Sequence, residues 1–169
     1  MARHFLIDTD TASDDAVALV MAMQHPDVHV EAITVVAGNV PVDQGVQNAL
    51  YTVELCGQAV PVHRGMPAPL TRPLETAQFV HGQDGMGDIG LPLTGRAAAS
   101  ADAIAVLRET RRTNPETRVL LFTGSHVDPI QLGADDYVSK PCRLNRLCQK
   151  VAGCLENSVN GRMVRLSSS

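Results

Sequence analysis

Apolar and polar positions change rhythm several times along the first hundred residues. Phe5-Leu6-Ile7 is a short apolar run and predicts a buried strand. Ala16, Leu19, Val20 and Met23 then recur at helical spacing. Val30 to Val36 predicts a second strand, ending at Ala37-Gly38-Asn39. Val42, Val46, Ala49, Leu50 and Val53 fall on one face of a helix that Pro41 opens and Gly57 ends. Val60-Pro61-Val62-His63 predicts a third, short strand, whose proline suits an edge position. Strands alternating with helices imply right-handed βαβ units. The expected fold is α/β, with a three-layer parallel sheet of about five strands and helices on both faces.

From Arg64 to Arg96 this rhythm breaks under Pro67, Pro69, Pro73 and Pro92, with Gly82, Gly85, Gly87, Gly90 and Gly95. A loop this long inside a compact domain is usually functional or mobile. Ser100 is the expected cap of the next helix, with Ile104 and Leu107 inward and Asn114-Pro115 as its stop. Arg118 to Gly124 predicts a fourth strand, and Val127 to Gly133 holds roughly one to two helical turns. Tyr137 to Pro141 predicts a fifth strand. Leu144, Leu147, Cys148, Val151, Cys154 and Leu155 form the stripe of a covering helix. One domain over 1–156 is expected, with a flexible tail over 157–169.

Composition narrows this further. Hydrophobic residues make up 44% of the 169, but aromatics only 3%, so the core is built from Val, Leu, Ile, Ala and Met. The formal charge of −4 offers no basic footprint for nucleic acid. The Met-Ala-Arg-His start has no apolar signal region, and no apolar run is long enough to cross a bilayer. A cytoplasmic protein is the expectation. Cys56, Cys142, Cys148 and Cys154 form no close CxxC pair and read as reduced thiols.

The candidate chemistry lies in two loops. Asp8, Asp10, Asp14 and Asp15 fall within eight positions, between the first strand and the first helix. Helix capping by Ser13 or Asp14 explains one of these acids. Acids this crowded repel one another unless a cation or shared protons offset them. They therefore read either as an oxygen-rich calcium or magnesium site or as a cap with solvated neighbours. In the long loop, the glycines of His81-Gly82-Gln83-Asp84-Gly85-Met86-Gly87-Asp88 bring His81, Asp84 and Asp88 close together, as a site or as a surface turn.

Several ordered motifs over 3–112 resemble the nucleoside hydrolase family: Asp8-Thr9-Asp10 with Asp14-Asp15-Ala16, Val35 to Val40, Pro61 to Gly65, and His81 to Asp88. The resemblance implies Asp10 and Asp15 as calcium ligands, joined by a backbone carbonyl at Thr123. It implies Asp14 as the base that activates water, Asn39 as a ribose ligand and His81 as a ribose- or base-site residue. The implied substrate is a nucleoside. N-glycoside cleavage passes through an oxocarbenium-like state, which asks for a poised water, a carboxylate base and grip on the sugar.

The stretch 113–156 resembles the receiver domains of response regulators, through Val119 to Gly124 and Gly133 to Pro141. That resemblance implies Thr123 and Lys140 as phosphoryl contacts, Tyr137 as a switch aromatic and a cis bond before Pro141. Together the two resemblances suggest a chimera with strand order 3-2-1-4-5, in which Lys140 reaches toward Asp10 or Asp15 and replaces part of the cation's charge. The expected function is a vestigial calcium and ribose site without turnover. The alternatives are a weak calcium-dependent N-ribohydrolase and a receiver-like signalling module. An exposed sheet edge would favour a homodimer.

Overall fold

The structure, a computed structural model, describes residues 3–123, 134–139 and 143–159. The elements are β1 (Arg3–Thr9), α1 (Ser13–Gln24), β2 (Val28–Val35), α2 (Val42–Leu55) and β3 (Val62–Arg64). They continue with α3 (Gln78–His81), α4 (Ala103–Thr113), β4 (Leu120–Thr123), β5 (Asp136–Ser139) and α5 (Leu144–Val159). Contacts divide the chain into one unit over Met1–Arg108 and a second over Glu109–Ser169.

In the first unit β2 is the middle strand, parallel to β1 on one side and β3 on the other. Its Val30, Ala32, Ile33, Thr34 and Val35 are all buried, as expected of a strand covered on both faces. Leu19 and Met23 of α1 and Val42, Val46, Ala49 and Val53 of α2 pack with Ile33, Val35 and Val62 into the core. Each such side chain contributes about 1.5–3 kcal/mol when fully buried. α2 ends as its sequence suggests: Gly57 takes φ +64°, its N–H bonds Glu54 O, and Gln58 N–H bonds Val53 O. This six-to-one and five-to-two pair closes the helix.

The expected single sheet of order 3-2-1-4-5 is not what forms. The first three strands are neighbours as expected, but β4 and β5 make their own parallel pair. A two-residue period marks a strand without naming its partner, so sequence periodicity places the strands and leaves their pairing open. Two smaller expectations also change. Asp102, not Ser100, starts α4, its carboxylate accepting from Ala105 N–H at 2.9 Å, while Ser100 bridges His63 beside β3. Ile104 and Leu107, expected inward, are exposed. α5 runs to Val159, into the expected tail.

The long loop is anchored on α2. Gln47 exchanges two hydrogen bonds with the Arg96 backbone, and the Arg96 guanidinium meets Glu54 at 2.6 Å. That guanidinium also stacks over Tyr51, 5.1 Å from the ring centre.

Candidate functional site

The acid loop leaves the carboxyl end of β1 and enters α1. Ala12, fully buried, is the N-cap, and it has no side chain with which to cap. Asp15, three residues on, reaches back to accept the Ala12 N–H at 3.0 Å. Neither Ser13 nor Asp14 caps. The Ser13 hydroxyl instead lies 3.1 Å from His81 Nδ1, and Asp14 Oδ1 lies 3.8 Å from the same nitrogen. Asp14 is 71% exposed, whereas His81 is mostly covered.

The loop after β2 closes over the acids. Asn39 N–H donates to Asp10 Oδ2 at 2.8 Å, and Asn39 Nδ2 donates to Asp15 Oδ2 at 3.2 Å. One residue thus ties two carboxylates that come from opposite ends of the acid loop. Gly38 is required for this closure, because a Cβ there would run into the Asp10 carboxylate. Asp8, one turn of pleat earlier on β1, accepts the Thr34 hydroxyl from the paired position of β2. Asp8 keeps an open face to solvent, yet the surrounding protein mass lifts its carboxyl above the usual range. The Thr34 bond opposes this rise and the nearby Asp10 charge adds to it.

Asn39 thus gathers Asp10 and Asp15, while His81 gathers Ser13 and Asp14 on the same loop. Asp84 and Asp88 are not part of either group. They fold onto each other: Asp88 accepts from Gln83 and Asp84 N–H, and Asp84 accepts from Met86 and Asp88 N–H. Those N–H bonds hold the Asp88 carboxyl below the usual range. These two acids shape the turn that presents His81, which itself accepts from Gly87 N–H at its carbonyl.

Sequence reasoning missed Asn48. It is fully buried on α2, and its Nδ2 donates to Thr11 O at 3.0 Å and to Asp84 O at 2.9 Å. It joins the acid loop to the His81 turn. No sequence signal marked it, because the same helix face also buries Gly45 and Thr52 among its Val and Ala residues.

Thr123 ends β4 in the second unit, paired with Ser139. Lys140, the bond to Pro141 and the segment 124–133 lie outside the described residues. Tyr137 is exposed on β5. Among the described residues, Asp10, Asp14 and Asp15 do not bring three donor atoms within 4.8 Å of one another. Their donors are all oxygen, the type that a hard cation such as calcium takes.

An acidic loop at the carboxyl end of parallel strands is where open α/β proteins bind ligands. The signature of the inosine-uridine preferring nucleoside hydrolases matches residues 5–126. The chain belongs to that family. It is 33% identical over 144 residues to the non-specific ribonucleoside hydrolase RihC of Salmonella paratyphi B, covering 85% of this chain and 47% of that protein. Among solved structures it resembles the purine-preferring ribonucleoside hydrolase from Gardnerella vaginalis, with 31% identity and TM-score 0.60 over 65% of this chain and 36% of that one. It also resembles the plant nucleoside hydrolase PpNRh1, with 31% identity and TM-score 0.64 over 72% and 39%. The chain spans about half the length of the curated relatives it matches. The family match runs past the 112/113 join expected from sequence and takes β4 with it.

Proposed function

We propose that the Asp10–Asp15 loop, with Asn39 and His81, is the ribose and calcium half-site of a nucleoside N-glycosidase, and that this chain binds nucleosides in the presence of calcium but turns them over slowly or not at all. The observation that carries this reading is the pair of hydrogen bonds from Asn39 to Asp10 and Asp15. It turns two acids of one loop toward one point, at a position where an amide also suits a sugar hydroxyl.

Asp10 and Asp15 would hold the cation. When bound, calcium supplies Lewis acidity toward water. Asp14 is open to solvent and positioned to accept a proton from an attacking water. His81, fixed by Ser13 and adjacent to Asp14, orients that carboxylate and walls the sugar side of the site. Asn39 presents its amide to ribose. Slow turnover follows from the described donors, which leave the cation's shell thin and supply no acid for the departing base.

The test is nucleoside binding by equilibrium dialysis with inosine and uridine, with and without calcium, alongside ribose release. Calcium should strengthen binding, and Asn39→Ala should weaken it about tenfold, or ~1.4 kcal/mol. Any ribose release should vanish in Asp14→Asn. Binding that ignores both calcium and Asn39→Ala contradicts the reading.

The receiver-like reading of 113–156 rests on the sequence resemblance alone. The nucleoside hydrolase match takes in β4, and a parallel β4–β5 pair followed by α5 is common to α/β proteins. Signalling is disfavoured, because β3 ends in His63-Arg64 with no phosphoacceptor Asp. No uptake of label from acetyl phosphate is expected.

A further inference from the structure

We propose that the β1–β2 ladder carries a second cation site, separate from the acid loop, in which His4, His29 and Glu31 bind a transition divalent ion of the zinc class. The two parallel strands pair His4 with His29 and Phe5 with Val30, and then slip so that Leu6 pairs with Ala32. Glu31 is the extra residue of this bulge and has no partner on β1. Bulges in parallel pairs are rare and re-aim side chains. Here Glu31 turns back along the ladder: its Oε1 lies 2.6 Å from His4 Nδ1 and 3.7 Å from His29 Nε2. The two imidazoles meet edge to face with centres 5.4 Å apart.

Among the described residues this is the one trio of His, Cys, Asp or Glu whose donor atoms all lie within 4.8 Å of one another. The ladder register alone makes neighbours of the two imidazoles, and the bulge adds the Glu31 carboxylate to that pair. Two imidazole nitrogens and one carboxylate oxygen suit zinc, with a fourth position open to solvent. Calcium prefers oxygen alone, so the two sites sort by donor chemistry. They also sit at opposite ends of β1. His4 and Asp10 are six residues apart, or ~20 Å along a strand. His4 and His29 project from paired positions of the ladder, and Glu31 from the bulge beside them, so little ordering is left for binding.

The experiment is a calorimetric titration of Zn2+ into the full chain with saturating calcium, repeated on His4→Ala, His29→Ala, Glu31→Gln and His81→Ala. Wild type should bind one Zn2+ per chain in an event that either histidine substitution weakens at least about tenfold, that Glu31→Gln weakens less, and that His81→Ala leaves unchanged. Zn2+ should also raise the thermal midpoint of wild type and not of His29→Ala. The three side chains are exposed, so each variant should fold. No Zn2+ binding by wild type, or equal binding by wild type and His29→Ala, overturns the proposal.

Discussion

The Asp8 carboxyl shows how a single residue can trade stability for charge. Protein mass around it and the Asp10 charge raise it, and Thr34 only partly compensates. A carboxyl raised in the folded state binds more protons there than in the unfolded chain. Its contribution is therefore favourable below the ordinary carboxylate value and is lost as pH rises through the raised one. Asp8→Asn keeps the Thr34 hydrogen bond and removes the charge. Its midpoint in urea should match wild type near pH 3.5 and exceed it modestly at pH 7, the gain being limited by the open face of Asp8. A variant less stable than wild type at neutral pH would refute this. Gly38 is the second such position. Gly38→Ala puts a Cβ where the Asp10 carboxylate lies. The Asp10 Cβ also lies 2.7 Å from that position, so the loop backbone must shift with the carboxylate, and both urea stability and calcium affinity should fall, the latter at least about tenfold, or ~1.4 kcal/mol. At this scale the motifs named residues that meet around the acid loop, Asn39 with Asp10 and Asp15, and His81 with Asp14. The sequence was silent about Asn48, because a buried amide is recognised only by the carbonyls it meets.

The elements were legible where the period was long and the stops were strong. β1, α1, β2 and α2 each form close to the expected range, and Gly57 ends α2 through its positive φ. The cap of α1 was not legible. Ala12 occupies it, and Asp15 supplies the returning bond, so the residues that look like caps are left for His81. Asn48 gives the element scale its test. Asn48→Ala removes the donor to the buried Thr11 carbonyl and to the half-buried Asp84 carbonyl. Each orphaned group costs roughly 1–3 kcal/mol. Urea unfolding should show a loss in that range or above, and nucleoside binding should weaken beyond what stability explains, because the acid loop and the His81 turn lose their link. In the second unit burial pushes the Asp136 carboxyl up, but the Lys150 ammonium, 2.6 Å away, the Tyr137 N–H and the Arg146 charge together outweigh it and leave that carboxyl lowered. Stability from this pair is present above the ordinary carboxylate range and is lost as pH falls through the lowered value. Lys150→Met should flatten that acid-side loss, read as the pH dependence of the thermal midpoint between pH 5 and pH 2.

At the scale of the whole molecule, the alternation of strands and helices and the 3-2-1 neighbours were read correctly, whereas among the described residues β4 and β5 pair only with each other. Local rhythm dictates each βα unit, whereas the choice of which strand lies beside which depends on edges far apart in sequence. The same limit applied to the join between the two resemblances: contacts divide the chain at Arg108/Glu109, while the nucleoside hydrolase match continues to residue 126. What unites the account is the acid loop of the first unit, where Asn39 draws Asp10 and Asp15 together. The most direct measurement is a calcium titration of the full chain by calorimetry, on wild type and on Asp10→Asn with Asp15→Asn. The expected result is one calcium ion bound by wild type, with affinity strengthened by added nucleoside and abolished in the double variant. Wild type that takes up no calcium, or a double variant that binds it equally well, would contradict the claim that these carboxylates form a cation and ribose site.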